Sequence, residues 1–266
     1  MAARRVGHRR NLVIVRAGDS SLHPGWLHCR KPRNWDLLIS YFGENADAFR
    51  SSGVSRVDGK GPKWPILKAV IAERADEIIR YEYVFLPDDD LECDGDSITQ
   101  LFEVCKQVGL ALAQPSLSLD SFASHGITLH NKSSVVRFTN YVEIMAPCFH
   151  QTALRLCLDT FDENITGWGI DILWAALIAE QGWRLGIVDD VQVRHTRSFF
   201  GPNYEHLRTI GKSPGDEASA LLAKYSLKQP LLRNVGIVDH SGNERTIAVD
   251  SECSEEWVTV PWAKFV

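Results

Sequence analysis

The chain has 266 residues, and at about 150 residues per average domain this length predicts one large domain or one domain with appendages. Apolar residues make up 44% and charged residues 24% of the sequence, which is typical of soluble globular proteins and excludes a disordered, collagenous or coiled-coil chain. The formal net charge of -5 gives the whole molecule no attraction to nucleic acid, and we expect no nucleic-acid partner.

The N-terminal segment is basic, with four arginines in its first ten residues. It predicts a flexible tail over 1–10 that can contact an anionic membrane surface weakly. The apolar run at 12–15 is too short for a signal sequence or a bilayer span. The six cysteines form no Cys-x-x-Cys pair, so we expect reduced thiols and a cytoplasmic location.

The first half of the chain alternates between strand and helix patterns. Three apolar, β-branched runs predict buried strands: NLVIV (11–15), WDLLISYF (35–42) and YEYVFL (81–86). Apolar spacing predicts a helix over 64–79 and another that begins at Asp96 or Ser97, followed by a strand over 109–117. This alternation predicts an α/β fold, a mostly parallel sheet flanked by helices.

The second half is less regular. It predicts a strand, a short helix, a longer helix and two further strands, over 135–145, 151–158, 170–181, 184–188 and 191–195. Gly, Pro and polar residues over 199–216 predict a loop or lid near the site. A β-hairpin is expected around 241–243. We therefore expect one domain over 11–225 and a C-terminal extension over 226–266.

Three consecutive acids, Asp88, Asp89 and Asp90, follow the third apolar run. Ligands of open α/β sheets bind beyond the carboxyl ends of the strands. Alternation along an extended segment puts Asp88 and Asp90 on one side and Asp89 on the other. Two carboxylates on one side suit Mn²⁺ or Mg²⁺, which would in turn hold a diphosphate. The other interpretation is a solvated acidic turn or a charge cluster at a helix N-terminus.

The segment TGWGID (166–171) joins a glycine-flanked tryptophan to an acid. Trp168 offers a flat apolar surface that suits the face of a sugar ring, with little backbone bulk beside it. Asp171, at the start of an apolar helix, is placed either to deprotonate a hydroxyl or to cap the helix.

The last predicted strand of this region ends in His195, on the same face as Val191 and Val193. A histidine at the end of a buried row is commonly a core residue. It can also be a metal ligand that joins Asp88 and Asp90.

The order of these features resembles that of nucleotide-sugar glycosyltransferases of the GT-A fold, which are Rossmann-like. More narrowly, three segments resemble an uncharacterised plant and bacterial family labelled lysine-ketoglutarate-reductase trans-splicing related: GPKWPILKAVI (61–71), YEYVFLPDDDLE (81–92) and TGWGIDILWA (166–175). That label describes no chemistry legible in these residues. The resemblance spans about residues 10–200.

The resemblance implies a metal-dependent glycosyltransferase that moves a sugar from a nucleotide-sugar donor to a hydroxyl of a glycan or other acceptor. Asp88 and Asp90 match the Asp-x-Asp motif, and His195 matches the histidine that completes Mn²⁺ or Mg²⁺ coordination. Asp171 matches the base of inverting members, although Ile170 precedes it where many GT-A enzymes have a second acid. The donor is expected against Arg16, Ala17, Gly18, Asp19, Lys63, Asp88, Asp89 and Trp168.

Two other functions stay open at this point. A metal-dependent phosphohydrolase also carries acids after an apolar strand, but the residues after Asp88 are Asp-Asp-Leu-Glu, without the hydroxyl residue usual in haloacid-dehalogenase-like enzymes. A glycan- or nucleotide-binding module without turnover is the second alternative. The sequence does not specify the donor, the acceptor, the stereochemistry of transfer or the oligomeric state.

Overall fold

The computed structural model describes residues 9–51, 54–198, 209 and 211–247. Its strands are β1 (Asn11–Ala17), β2 (Trp35–Tyr41), β3 (Ser55–Asp58), β4 (Tyr83–Phe85), β5 (Leu91–Glu92), β6 (Leu110–Leu117), β7 (Val136–Thr139), β8 (Cys148–His150), β9 (Arg184–His195), β10 (Asn234–Val238) and β11 (Glu244–Thr246). Its helices are α1 (His23–Trp26), α2 (Lys63–Glu73), α3 (Ala75–Ile78), α4 (Gly95–Val108), α5 (Gln151–Cys157), α6 (Ile170–Glu180) and α7 (Pro214–Lys224). Most of the expected basic tail, much of the expected loop over 199–216 and the end of the C-terminal extension lie outside the described residues.

The strands form one mixed sheet in the order β11-β10-β7-β9-β6-β8-β4-β1-β2-β3, and β5 pairs with β9 outside this order. β1 pairs in parallel with β2 and β4, β2 with β3, and β6 with β9. β8 is antiparallel to both β4 and β6, so those two strands run in the same direction. The predicted parallel arrangement therefore holds for β1 to β4, β6 and β9. β7 and β8 run antiparallel to their neighbours β9, β6 and β4, which makes the sheet mixed.

Helices cover both faces of the sheet. On one face Val13 and Val15 of β1 pack with α4, and on the other Leu12 and Ile14 pack with α2, α5 and α6. A strand buried on both faces has a continuous apolar sequence rather than an alternating one, which explains the NLVIV run. The predicted α/β class is confirmed, with the sheet between two helical layers.

Several elements differ from the sequence prediction. The helix expected over 64–79 is divided into α2 and α3, and the strands expected over 184–188 and 191–195 form the single strand β9. α4 begins earlier than expected, because the Asp94 side chain accepts a hydrogen bond of 2.8 Å from Ser97 N–H and caps the helix; Asp96 instead pairs with Arg30. The strand expected over 135–145 ends at Thr139. α7 was missed, since Gly and Pro dominate the pattern before it, although Ser213 caps its first turn.

The predicted C-terminal hairpin is present as β10 and β11. β10 also pairs antiparallel with β7, so the described part of the extension belongs to the central sheet. Its separation from the rest of the chain at residue 225 stays a prediction. The cysteines among the described residues are free thiols. None of the helices in the described ranges has the length and apolar character needed to cross a membrane.

A buried ion pair joins β7 to β9. Arg137 makes two bonds to Asp189, with Nε 2.7 Å from Oδ2 and Nη2 2.9 Å from Oδ1. Asp189 also accepts from Ser134 Oγ, and Arg137 donates to Ile127 O. This bidentate ion pair satisfies both charges where water is excluded. It also fixes the middle of β9, the strand that ends in His195.

We expect Asp189→Ala to lower the free energy of unfolding by about 3 to 5 kcal/mol, because it leaves the Arg137 guanidinium buried without a counter-charge. Urea unfolding followed by circular dichroism measures the change. The control is Glu244→Ala, which breaks the half-exposed pair of Glu244 with Arg184 and is expected to cost under about 1 kcal/mol. Equal losses in the two variants would contradict this account.

Candidate active site

The loops that follow β1, β4 and β9 meet at the carboxyl ends of the strands. These strands run in the same direction, so their carboxyl ends lie together, where α/β sheets bind ligands. Gly18 follows β1, the three acids follow β4, and His195 ends β9. The structure therefore brings together residues that are widely separated in sequence.

Asp89 ties these loops to one another. Its Oδ2 accepts a hydrogen bond of 2.8 Å from Gly18 N–H, and its Oδ1 lies 3.0 Å from Arg197 Nη1. Arg197 also donates to Ser20 O at 2.7 Å. Burial raises the pKa of Asp89, and the bonds from Gly18 and Arg197 oppose that shift. Asp89 thus has partners different from those of Asp88 and Asp90.

Asp90 pairs with His195. His195 Nε2 lies 3.3 Å from Asp90 Oδ2, and Nδ1 lies 2.7 Å from Phe122 O. Burial alone would lower the pKa of His195, but the Asp90 carboxylate outweighs it and raises this pKa to about 9. The second oxygen, Asp90 Oδ1, is buried and has no hydrogen-bond partner among the described residues.

Asp88 has a different partner. Lys63 Nζ lies 2.5 Å from Asp88 Oδ1 and 3.0 Å from Ile144 O. Burial raises the pKa of Asp88, while the Lys63 charge opposes the rise. Within the described ranges no group of three or more His, Cys, Asp or Glu side chains is arranged to hold a metal ion. The expected set of Asp88, Asp90 and His195 is therefore not assembled as a cation site here, because the Lys63 ammonium bonds to Asp88.

The chemistry of the donor set nevertheless fits a divalent cation. Asp90 Oδ1 is a buried carboxylate oxygen that lacks a partner, and leaving such an atom unsatisfied is costly. Carboxylate oxygens are preferred by Mg²⁺ and Mn²⁺, and imidazole is a common ligand of transition metals. Asp90 and His195 are the residues that would hold such an ion.

Asp171 lies in the first turn of α6, as the sequence predicts, and is buried. Its Oδ2 accepts a hydrogen bond of 2.8 Å from Tyr141 Oη, and its Oδ1 accepts one of 2.9 Å from Ile172 N–H. Burial raises the pKa of Asp171 to about 6, against the opposing effect of these bonds. A carboxyl group with this pKa can exchange a proton near neutral pH.

Two residues of this edge were missed by sequence reasoning. Glu143 is only 5% exposed, its Oε2 has no hydrogen-bond partner among the described residues, and burial raises its pKa to about 7. The signal was a lone acid in the largely apolar segment YVEIMAPCF (141–149). Arg197 is the other, two positions after His195, and only its contact with Asp89 reveals its role.

The residues expected to bind the nucleotide differ in their surroundings. Arg16 is buried and donates to Ser40 Oγ at 3.0 Å and to Gly61 O at 2.9 Å, so the fold itself uses its guanidinium. Burial lowers the pKa of Arg16 to about 10. Ala17 is fully buried. Asp19 is exposed and accepts from Tyr41 Oη and from the backbone of the loop after β2.

The turn before α6 has a packing reason for its glycines. Gly167 has φ of 80°, and a Cβ there would lie 2.4 Å from Trp64 Cδ1. Gly169, with φ of 86°, precedes the helix. Trp168 is partly exposed, and its backbone bonds to Thr166 and Asn164. Gly167 thus allows the turn to pack against Trp64, and Gly169 allows it to approach Ala218, requirements that the sequence did not reveal.

Comparisons with known proteins support the fold. A family described as "Protein of unknown function (DUF707)" matches residues 57–140. No curated protein matches the chain. Among solved structures, GalNAc-T7 with UDP, GalNAc and Mn²⁺ is similar, with a TM-score of 0.56 and 10% identity over 82% of this chain and 48% of that one. The chain thus spans about half the length of GalNAc-T7.

A second solved structure, described as a nucleotide-diphospho-sugar transferase from Desulfovibrio desulfuricans G20, has a TM-score of 0.44 and 12% identity. It covers 82% of this chain and 98% of its own. At such identities similarity concerns the fold alone. The chain has a GT-A-like glycosyltransferase fold, in one domain with a large central sheet and flanking helices.

The raised pKa of Asp171 predicts a pH-dependent effect on stability. A carboxyl whose pKa rises from 3.8 to about 6 on folding destabilises the native state progressively as pH rises through that interval, and the cost is constant above it. Asp171→Asn removes this cost. The free energy of unfolding of this variant, relative to wild type, is expected to increase by about 1.4 kcal/mol between pH 5 and pH 8.

Urea unfolding at pH 5, 6 and 8 measures this difference. The control is Asp76→Asn, at an exposed position in α3, where we expect no comparable change with pH. A difference between wild type and Asp171→Asn that stays constant over this range would contradict the raised pKa.

Proposed function

We propose that the protein is a metal-dependent glycosyltransferase that moves a sugar from a nucleoside-diphosphate donor to a hydroxyl acceptor. The observation that carries the proposal is the buried pair of Asp90 and His195 at the carboxyl edge of the sheet, with Asp90 Oδ1 lacking a partner among the described residues. The GT-A-like fold supports it, as does the presence of UDP, GalNAc and Mn²⁺ in the similar GalNAc-T7 structure.

The proposed cation ligands are Asp90 and His195, with Asp88 as a third once Lys63 has left its Oδ1. Bound Mn²⁺ or Mg²⁺ would supply Lewis-acid neutralisation of charge on the diphosphate. Lys63 would then be free to donate to a phosphate oxygen instead of to Asp88. This exchange keeps the local charges balanced, because the anionic diphosphate enters together with the cation.

In this proposal the nucleotide lies along Gly18 and Asp19, and the buried Arg16 and Ala17 support them from within the sheet. Arg197 donates to Ser20 O in the same loop, and Asp89 orients its guanidinium. A planar guanidinium suits phosphate oxygens. Asp89 would thus act on the donor by holding Gly18 and Arg197 in place.

On the acceptor side, Trp168 would pack against a sugar ring, since its indole is partly exposed in a tight turn and aromatic faces suit apolar sugar faces. The sequence predicts Asp171 as the base of an inverting reaction, and its place at the start of α6 puts a buried carboxyl group on this side. Tyr141 would orient it through their hydrogen bond. Glu143 is a second carboxyl group on the same side.

Calorimetry with UDP tests the metal-binding part of the proposal. Wild-type protein is expected to bind UDP more tightly with Mn²⁺ than with EDTA, and Asp90→Ala is expected to lose at least about tenfold of that affinity, which corresponds to about 1.4 kcal/mol. Asp76→Asn is the control and should match wild type. A UDP affinity that changes neither with Mn²⁺ nor in Asp90→Ala would refute the proposed cation site.

Release of nucleotide from nucleotide sugars distinguishes a glycosyltransferase from a binding module and from a phosphohydrolase. A transferase is expected to release UDP or GDP slowly from a matching donor, with water as acceptor. A binding module would bind the donor without releasing nucleotide. A phosphohydrolase would release inorganic phosphate from simple phosphate esters.

A further inference from the structure

Glu143 is a buried carboxyl group with unused hydrogen-bonding capacity at the proposed site. Only 5% of the residue is exposed, and Oε2 has no partner among the described residues. A buried carboxylate oxygen without a donor costs free energy. Glu143 lies near the carboxyl ends of the strands, where α/β sheets bind ligands. A substrate group that donates a hydrogen bond there would satisfy this oxygen.

The backbone around Glu143 is fixed firmly against the acidic loop. Glu143 N–H donates to Gln114 Oε1 at 2.6 Å, and Gln114 lies in β6 and is fully buried. Two residues on, Met145 O accepts a hydrogen bond of 2.7 Å from Asp88 N–H. Glu143 is therefore held on a rigid turn beside Asp88, as a group that must meet a substrate precisely oriented requires.

The titratable groups that face the Glu143 carboxyl come from four parts of the fold. They are Asp88 after β4, Tyr141 after β7, Asp171 at the start of α6 and His195 at the end of β9, together with the hydroxyl of Ser124. The His125 ring packs edge-on against Tyr141 on the same side, 5.0 Å between ring centroids. Burial raises the pKa of Glu143 to about 7, which Asp171 and Asp88 reinforce and Ser124 and His195 oppose.

Asp171 has less capacity to receive a proton from a substrate. One oxygen already accepts from Tyr141 Oη and the other from Ile172 N–H. These two bonds fix Asp171 and stabilise its charged form. Of the two buried carboxyl groups on the acceptor side, Glu143 is the one with an oxygen that accepts from no donor among the described residues.

We propose that Glu143 is the catalytic residue that accepts the proton of the acceptor hydroxyl, and that Asp171 orients the acceptor, an inference that rests on the proposed glycosyl transfer. The acceptor oxygen forms a bond to the anomeric carbon, and the bond from that carbon to the diphosphate oxygen breaks. Its electron pair leaves with the nucleoside diphosphate. The acceptor proton moves to Glu143 Oε2 and from there to solvent.

The test measures nucleotide release from a panel of UDP and GDP sugars with Mn²⁺ between pH 5.5 and 9, for wild type, Glu143→Gln and Asp171→Asn. We expect the wild-type kcat to rise with pH to a plateau above about pH 7, since the base must be ionised. Glu143→Gln is expected to lower kcat by about 100-fold or more and to abolish the inflection. Its UDP affinity with Mn²⁺ should stay within about twofold of wild type.

Asp171→Asn is expected to lower turnover but to keep the inflection near pH 7. Glu143→Asp retains the carboxyl group and should recover part of the activity, which a merely structural role would not predict. Glu103→Gln, at an exposed position of α4, is the control and should behave as wild type. Thermal melting of Glu143→Gln at or above the wild-type temperature would show that its loss of activity is not a loss of folding.

Two results would overturn the inference and can be told apart. Wild-type turnover and pH dependence in Glu143→Gln, with both lost in Asp171→Asn, would assign proton transfer to Asp171 and leave the proposed function standing. Failure of the wild-type protein to bind UDP with Mn²⁺ and to release nucleotide from the panel would refute the proposed function, and this inference with it.

Discussion

The two-sided contact of Asp89 is the constraint on which the rest of the site depends. Its carboxylate receives the backbone of Gly18 on one side and the guanidinium of Arg197 on the other. These partners belong to the loops after β1 and β9, so a single side chain sets the spacing of three loops. Asp89 is buried, whereas the Arg197 side chain is 42% exposed, so solvent screens this ion pair in part. The neighbouring acids can then point toward His195 and Lys63.

The carboxyl ends of the strands gather buried carboxyl groups that stability alone would not favour. Asp90, Glu143 and Asp171 are each under a tenth exposed, and burying a carboxylate is costly unless it is paired. Elsewhere in β7 and β9, the buried charges of Arg137 and Asp189 are fully paired with each other. Costly burial of carboxyl groups concentrates at functional sites, where stability is sacrificed for activity.

The parts of the site that follow from local pattern could be predicted from sequence, and those that follow from tertiary contact could not. Asp90 follows an apolar strand and His195 ends one, so the sequence places both at the carboxyl ends of strands, where ligands bind. The bond from Gly18 to Asp89 joins positions 71 residues apart, and no local signal encodes it. Likewise β8 lies between β4 and β6 through non-local pairing, and Asp88 N–H donates to Met145 O in the segment that precedes β8. The period of the apolar pattern predicts which segments are strands, but not their neighbours.

The two outer strands of the sheet, among the described residues, are β3 and β11. Both are short, and both carry charges: Arg56 and Asp58 in β3, and Glu244 and Arg245 in β11. An exposed strand edge offers free backbone groups to which another chain can add its own strand, and charged side chains on a short strand oppose that addition. The charged borders of this wide sheet therefore disfavour edge-to-edge polymerisation, a hazard that a central sheet of this breadth would otherwise carry.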